Sequence, residues 1–386
     1  MAHDAASFLD NPDVYVSLDP TGFGERIGGL PQQCLRAWEL GLKFDLPSGY
    51  GDVRNVVVAG MGGSAIGGEL LGDLVSVEES PLVTVCRDYC LPSYVGPDSL
   101  VIASSYSGNT EETLSAFHDA LQRGARVVAV TTGGQLGQLA RREGIPVFQI
   151  DYVGEPRAAL GYSFLVPLSI LQNLKLTTPR DKEVLEAAEV LTSLAHRVNP
   201  QIPTRDNPAK ELAIALRGRL IVVYGGGMLC GVARRWKGQF NENAKAWAFV
   251  ELLPEAGHNA IAGLQWPRPV GRKACGVLLS AWSLHPRIKL RYQVIEELLR
   301  KAGVDCRTVD GVGLGSLAQM LSVVLFGDYT SYYLALLNGE DPSPAPPLDY
   351  LKGRLKELHQ QAAEERGVQR GEAPKFTLSG AEGPGV

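Results

Sequence analysis

The sequence predicts an α/β fold with two doubly wound halves, each a mostly parallel sheet flanked by helices. The first observation is that short Val/Ile-rich runs alternate with helical segments over residues 51–175, a pattern typical of a parallel sheet. The second is that the order of strand, glycine-rich turn and helix at residues 54–74 recurs at 218–240, after a proline-rich stretch at 199–208. Two related halves joined by a linker explain this repetition most simply.

The N-terminal part and the first half follow this plan in chain order. Residues 1–50 are predicted to be a helical segment with one helix starting at Pro31, because proline suits a first helical turn. In the first half, residues 51–175, five apolar runs are the predicted strands: 55–60, 82–86, 100–105, 126–132 and 146–150.

The rest of the chain divides in the same way. A helix at 180–200 and the linker occupy residues 176–208, and the second half covers 209–335, with further strands at 275–280 and 305–310. A C-terminal segment and helix follow at 336–366. The tail at 367–386 is polar and rich in glycine and proline, so we expect it to be mobile.

Composition limits the classes of function. The chain has 386 residues, a net charge of −5 and no long Lys/Arg run, which argues against nucleic-acid binding. We find no apolar stretch near the roughly 20 residues of a membrane span, and the N-terminus lacks the pattern of a signal peptide. The expectation is a cytoplasmic protein without a membrane segment.

The six cysteines are scattered, with no C-x-x-C pair and no histidine cluster beside them. That spacing favours reduced core cysteines rather than a zinc site or a disulfide framework. We therefore expect no structural zinc site, and we expect no other metal or cofactor.

The segment SYSGNTEET, residues 105–113, is the most informative one. It places the hydroxyls of Ser105, Ser107 and Thr110 between a buried strand and an amphipathic helix, where free N–H groups and the helix dipole favour an anion such as a phosphate. The segment lacks the lysine of a nucleotide-binding P-loop, which favours a phosphate monoester. An ordinary helix cap would use the same residue types.

A second glycine-rich loop follows the strand at 55–60. Gly62 and Gly63 permit a close backbone approach and Ser64 adds a hydroxyl. The pattern Gly60-x-Gly62-x-x-Ala65 is also a weak dinucleotide fingerprint, with Asp88 near the expected ribose position. Two such loops at the carboxyl ends of parallel strands fit a sugar-phosphate pocket better. The third loop, residues 225–227, lacks hydroxyls and is interpreted as a tight turn.

Acid–base candidates lie in the second half. Glu242 is predicted on a helix with Asn241, Asn243 and Lys245, where an ordinary polar helix surface is the competing interpretation. His258 lies in the turn PEAGHN, and His285 is the only other histidine in a comparable loop.

These residues carry a resemblance to the bifunctional phosphoglucose/phosphomannose isomerase family, whose subunits pair two sugar-isomerase (SIS) domains. The matching motifs cover residues from about 50 to 355: GMGGSAIGG (60–68), SYSGNTEET (105–113), PRAALGYSF (156–164), NENAKAWAF (241–249), PEAGHN (254–259) and DPSPAPPLDYLKGRL (341–355). The first two alone would indicate only an SIS domain.

The resemblance implies roles for particular residues. The sugar phosphate would be held by the residues of the two loops: Gly62, Gly63, Ser64, Ser105, Ser107 and Thr110. Arg157 would lie near the reacting carbons, and Glu242 would move a proton between C1 and C2. His258 and Lys352 would assist ring opening, in a homodimer whose active sites are shared.

Elementary chemistry agrees with these roles. Aldose–ketose isomerisation through a cis-enediol needs one base that removes and returns a carbon proton, and a cation that stabilises the enediolate. Imidazole titrates in the range that suits ring opening. The family commonly has Thr-Pro before the closing lysine, where we align Ala345 and Pro346, so the glucose reaction is better supported than the mannose one.

Two other functions remain open from the sequence. A non-catalytic SIS regulator would keep both loops but need neither Glu242 nor His258, and it would usually carry a DNA-binding or partner domain. A nicotinamide-dependent oxidoreductase would explain the pattern Gly60-x-Gly62-x-x-Ala65 but not the second loop, at residues 105–110. The predicted partner is a small sugar phosphate both for an isomerase and for a regulator.

Overall fold

The computed structural model describes residues 2–78, 80–267 and 271–366. A first compact unit extends to Ser343, and a second begins at Pro344. The first unit contains two separate parallel sheets with helices around them. Both predicted doubly wound sheets are therefore confirmed.

The first sheet has the strand order β2-β1-β3-β4-β5, with all neighbours parallel. Its strands are Asn55–Ala59 (β1), Leu82–Cys86 (β2), Ser99–Ser104 (β3), Arg126–Thr131 (β4) and Val147–Gln149 (β5). The central strands are buried on both faces, which explains their continuous Val, Ile and Ala runs. All five lie within one or two residues of the predicted bounds.

The second sheet has the order β7-β6-β8-β9, again parallel. Its strands are Leu220–Gly226 (β6), Ala248–Leu253 (β7), Ala274–Ser280 (β8) and Asp305–Asp310 (β9). Strand β7 is absent from the sequence prediction. It is an edge strand with Phe249 exposed, and its apolar run follows a helix without the usual turn residues.

The helices cover both sheets and join them. Those of the first half and the region before it are Ala2–Leu9, Pro12–Leu18, Phe23–Gly28, Leu30–Leu42, Gly62–Val75, Glu111–Gln122, Gly134–Arg142 and Leu160–Asn173. Those that follow are Asp181–Val198, Pro208–Leu216, Cys230–Glu242, Pro286–Lys301, Ser316–Leu337 and Pro346–Arg366.

The N-terminal segment has more helices than the single one predicted. Three short helices precede Leu30–Leu42. They are too short to show helical periodicity, and buried side chains such as Leu9 and Phe23 hold them against the core. The second of them begins at Pro12, where the Asn11 side chain accepts a hydrogen bond from the Asp13 N–H.

The helix Ser316–Leu337 corrects the expectation that no apolar stretch approaches the length of a membrane span. It has 22 residues and is long and apolar enough by composition. In the structure 94% of its most apolar window is buried inside the protein. It packs against the helices Asp181–Val198 and Pro208–Leu216, so its apolarity matches a position in the core. Asp328 in its middle, together with scattered Ser, Thr and Tyr, hides the stretch from a simple count.

Candidate active site

The two predicted phosphate loops lie side by side at the carboxyl edge of the first sheet. Strands β1 and β3 are hydrogen-bonded neighbours, with Ala59 opposite Ala103. The loops that follow them are so close that a Cβ on Gly60 would lie 2.7 Å from the Ser104 carbonyl oxygen. Parallel strands end at the same edge of a sheet, so their turns form one surface.

The first loop uses glycine for two different reasons. Gly62 has a φ of 51°, in the left-handed region that favours glycine, and a Cβ there would face open space. A Cβ on Gly63 would lie 2.9 Å from the Pro156 carbonyl oxygen and 3.1 Å from the Arg157 Cα. Gly63 therefore lets the segment that carries Arg157 approach the start of the helix Gly62–Val75. Ser64, in the first turn of that helix, is buried.

The second loop holds its hydroxyls in a compact turn. The Ser105 and Thr110 side-chain oxygens are 2.9 Å apart, and Ser105 Oγ accepts a hydrogen bond from the Gly108 N–H. Ser107 is exposed, and its hydroxyl accepts a hydrogen bond from the Asn109 N–H at 3.2 Å. Among the described residues, no side chain caps the first turn of the helix Glu111–Gln122 or of Gly62–Val75. Both turns can offer N–H groups to an anion.

Arg157 lies beside the first loop with its guanidinium fixed in one orientation. Its Nε donates to Asn243 Oδ1 at 2.6 Å, and Nη2 donates to the Pro342 and Ser343 carbonyl oxygens at 2.6 and 2.8 Å. The ring of Phe23 lies 5.1 Å from its central carbon. Only 6% of Arg157 is exposed.

Glu242 is brought to this cation. Its Oε2 lies 3.6 Å from Arg157 Nη1, and its side chain keeps 32% of its surface exposed. Burial lowers the pKa of Arg157, and the negative charge of Glu242 opposes that effect; an arginine stays charged at neutral pH in either case. The pair combines a fixed cation with a carboxylate that a small molecule can reach.

The helix that carries Glu242 is shorter than predicted. It runs from Cys230 to Glu242, with Asn243 as its C-cap, and Lys245 lies beyond it with a φ of 51°. Glu242 therefore occupies a helix end rather than a polar helix surface. The helix packs on Gly62–Val75, where the Gly231 N–H donates to Asp73 Oδ2 at 2.6 Å, and this contact brings the two halves together at the site.

A buried ion pair between Arg235 and Asp328 stabilises the backbone at Arg157. Arg235 donates through Nε and Nη2 to the two carboxylate oxygens of Asp328, at 3.1 and 2.6 Å. Arg235 Nη2 also donates to the Arg157 carbonyl oxygen at 3.1 Å. Gln239 Nε2 also donates to Asp328 Oδ1, at 2.8 Å. Removing one partner of such a pair leaves an uncompensated charge, at a cost of about 3–5 kcal/mol.

Sequence reasoning missed several of these residues. The sequence predicts Asn243 only as a neighbour of Glu242 on a helix. In the structure it accepts a hydrogen bond from Arg157 and donates to Ser331 Oγ at 2.9 Å. Asp328 carried a signal, since it is the one acidic residue within the apolar helix Ser316–Leu337. The carbonyl oxygens of residues 342 and 343 could not be predicted as partners of Arg157, because every residue has a backbone carbonyl.

Ser343 contacts Arg157 through its backbone, whereas its hydroxyl lies beside Thr21 and Arg26. Ser343 Oγ lies 2.5 Å from Thr21 Oγ1, and its carbonyl oxygen accepts from Arg157. Ser343 also directly precedes a proline, Pro344. Among the described residues, the segment before the aligned Ala345 therefore gives Arg157 carbonyl oxygens and no hydroxyl.

The structure does not bring His258 to the Arg157–Glu242 pair. His258 is exposed in a 3-10 turn, Glu255–His258, that follows the carboxyl end of β7. Within the described ranges its side chain makes no hydrogen bond. Lys352 lies in the second unit, on the exposed helix Pro346–Arg366, and its predicted role stays a prediction. His285 caps the helix Pro286–Lys301 by accepting from the Arg287 N–H.

The comparisons with known proteins agree with this architecture. Residues 205–355 match the family model described as the bacterial phospho-glucose isomerase C-terminal SIS domain. A solved structure of a hypothetical protein from Thermus thermophilus has a TM-score of 0.69 at 17% identity, covering 92% of this chain and 94% of that one.

Relatives with assigned names cover most of the sequence. The chain is 40% identical over 335 residues to the bifunctional phosphoglucose/phosphomannose isomerase of Caldicellulosiruptor bescii, covering 86% of this chain and 99% of the relative. It is 34% identical over 305 residues to the Aquifex aeolicus protein of the same name, covering 78% and 91%. The family resemblance predicted from the motifs is thereby confirmed. This chain belongs to the bifunctional phosphoglucose/phosphomannose isomerase family.

Proposed function

We propose that the protein interconverts glucose 6-phosphate and mannose 6-phosphate with fructose 6-phosphate through a cis-enediol. The observation that carries the proposal is the Arg157–Glu242 pair, with its 3.6 Å separation, beside two loops suited to a phosphate. Relatives that share most of the chain's length bear the names of both reactions. A non-catalytic regulator would have no need for a buried arginine held against a partly exposed carboxylate.

The phosphate binds across the two loops. The exposed hydroxyl of Ser107, the hydroxyl of Thr110 and the uncapped first turns of two helices supply donors without a full positive charge. Ser105 shapes the turn through its bond with the Gly108 N–H. Backbone and hydroxyl donors at helix N-termini suit a monoester that is held and not cleaved.

Glu242 moves the carbon proton. Its carboxylate removes a proton from C1 or C2 of the open-chain sugar and returns it to the neighbouring carbon, which is general base and then general acid catalysis. Negative charge develops on the enediolate oxygens during this step. Arg157 Nη1, the corner of the guanidinium that faces Glu242, lies where it can stabilise that charge.

The positions of Glu242 and His258 support a homodimer with shared sites. Glu242 precedes the amino end of β7, and His258 follows its carboxyl end. Six strand residues at about 3.3 Å each separate the two ends by roughly 20 Å. One sugar phosphate is too small to touch both in a single chain, so His258 serves the site of a second copy, where it assists ring opening with Lys352.

Acceptance of the mannose epimer follows from the enediol that the two aldoses share. The two aldoses differ only in the configuration at C2, and enolisation makes C2 planar, so both form the same enediol. Relatives that cover most of the chain carry the names of both reactions.

A coupled assay tests the function. The protein is incubated with fructose 6-phosphate, and glucose 6-phosphate and mannose 6-phosphate are measured separately with enzymes specific for each. We expect both products. If neither forms, while inorganic phosphate still binds, the protein is a sugar-phosphate sensor and the proposal is wrong.

A further inference from the structure

Lys245 has a backbone conformation that lysine rarely adopts. Its φ is 51°, and among the described residues the only other non-glycine with a positive φ is Lys175, at 59°. A left-handed backbone costs a side-chain-bearing residue of order 1 kcal/mol or more, so it persists only where surrounding contacts determine it. The contacts of Lys245 come from its ammonium group.

All three hydrogens of that ammonium are used. Nζ donates to the carbonyl oxygens of Glu242 at 3.0 Å, Asn243 at 3.1 Å and Asp341 at 2.6 Å. The first two carbonyls belong to the end of the helix that carries Glu242, where unpaired carbonyls and the helix dipole favour a cation. Lys245 therefore caps this helix with its own side chain.

The third bond links the cap to the anchor of Arg157. Asp341 begins the segment 341–343, and the next two carbonyl oxygens accept from Arg157 Nη2. Asn243, whose carbonyl Lys245 holds, accepts from Arg157 Nε through its side chain. One ammonium thus fixes the backbone under Glu242 and both backbone segments to which Arg157 is bound.

We propose that Lys245 is a positioning residue, which sets the separation and orientation of the Arg157–Glu242 pair without touching the substrate. The proposal rests on the proposed isomerase function. The phosphate loops lie on other elements, after β1 and β3. Loss of the ammonium should therefore lower turnover and leave phosphate binding unchanged.

The variant Lys245→Gly removes the ammonium with the rest of the side chain and adds no backbone strain, because glycine readily adopts a φ of 51°. Lys175→Gly is its matched control. Lys175 has the same residue type and the same backbone region, but it is exposed at the end of the helix Leu160–Asn173. Its side chain donates no hydrogen bond in the part of the chain that the structure describes.

In Lys245→Gly, kcat with fructose 6-phosphate should fall about ten- to a hundredfold, since small misplacements of reacting groups cost rates of this order. Inhibition by inorganic phosphate should be unchanged, and Lys175→Gly should match the wild type in both. If Lys245→Gly does not fold, Lys245→Asn takes its place, because asparagine also tolerates the left-handed region.

Three results would overturn the proposal. The first is normal kcat in the folded Lys245 variant, and the second is an equal loss in Lys175→Gly. The third is a loss of phosphate inhibition that parallels the loss of kcat, which would indicate general distortion. A wild-type protein without turnover would instead refute the isomerase function, and the positioning proposal with it.

Discussion

At the scale of single residues, the site depends on how the donors of one side chain are distributed. A guanidinium has five N–H groups. In Arg157, Nε and Nη2 are bound to Asn243 and to the carbonyl oxygens of 342 and 343, which leaves Nη1 towards Glu242. The family resemblance implies that Arg157 and Glu242 both act at the reacting carbons. The carbonyl oxygens that hold Arg157 could not be predicted, because every residue has a backbone carbonyl and no residue type marks the ones that are used.

Ser107→Ala should weaken substrate binding and leave turnover at saturation nearly unchanged. Ser107 is exposed and only accepts a hydrogen bond from the Asn109 N–H, so its removal disturbs the loop little. Loss of a hydrogen bond to a charged group costs about 1.5–3 kcal/mol, or roughly one to two decades in affinity. Isothermal titration with inorganic phosphate and the KM for fructose 6-phosphate measure the effect.

Ser115→Ala is the control for that variant. Ser115 lies on the helix Glu111–Gln122, which follows the loop, and its hydroxyl donates to the Tyr89 carbonyl oxygen. Its phosphate affinity should equal that of the wild type. Wild-type affinity in Ser107→Ala as well would remove this hydroxyl from the binding site.

At the scale of elements, the buried strands were predictable and the edge and terminal elements were not. The run at 100–105 became Ser99–Ser104, because a strand buried on both faces requires a continuous apolar run. Strand β7 pairs with β6 alone, so its sequence is only partly constrained by burial. The helix end at Glu242 depends on the left-handed Lys245, a conformation that propensity does not favour.

Gly63→Ala should reduce both stability and activity. The added methyl would lie 2.9 Å from the Pro156 carbonyl oxygen. It would therefore force the segment that carries Arg157 away from the helix Gly62–Val75. Overpacking of this kind costs typically about 1–3 kcal/mol. Thermal unfolding and kcat with fructose 6-phosphate are the two measurements.

Gly238→Ala provides the opposite case on the helix Cys230–Glu242. A Cβ there meets no neighbouring atom within 4 Å in the described part of the chain. Alanine in a helix is favoured over glycine by about 0.4–1 kcal/mol. The melting temperature of this variant should rise slightly and its turnover should stay at the wild-type level. A Gly63→Ala protein as stable and active as Gly238→Ala would contradict the close approach seen at Gly63.

At the scale of the whole molecule, the two-sheet plan followed from the repeated pattern, whereas the meeting of the halves did not. Glu242 reaches the first sheet only because its helix packs on Gly62–Val75, through contacts such as Gly231 with Asp73. No local pattern encodes that contact. The predicted domain bounds, and the homodimer, stay predictions.

Hybrid dimers test the shared site. A mixture of Glu242→Gln and His258→Ala subunits, refolded or co-expressed, should recover activity, because a hybrid dimer contains one site with both Glu242 and His258. Each variant alone should stay impaired. Sedimentation of a fully active wild-type monomer, or a mixture no more active than its components, would show that each chain acts alone.

The turnover of Glu242→Gln with fructose 6-phosphate tests the central claim most directly. The substitution keeps size and hydrogen bonding but removes the basic oxygen, so kcat should fall by about 10²–10⁴-fold, with inhibition by inorganic phosphate unchanged. Glu211→Gln, an exposed carboxylate on the helix Pro208–Leu216, should keep full turnover. Near-normal turnover in Glu242→Gln would show that another group moves the carbon proton.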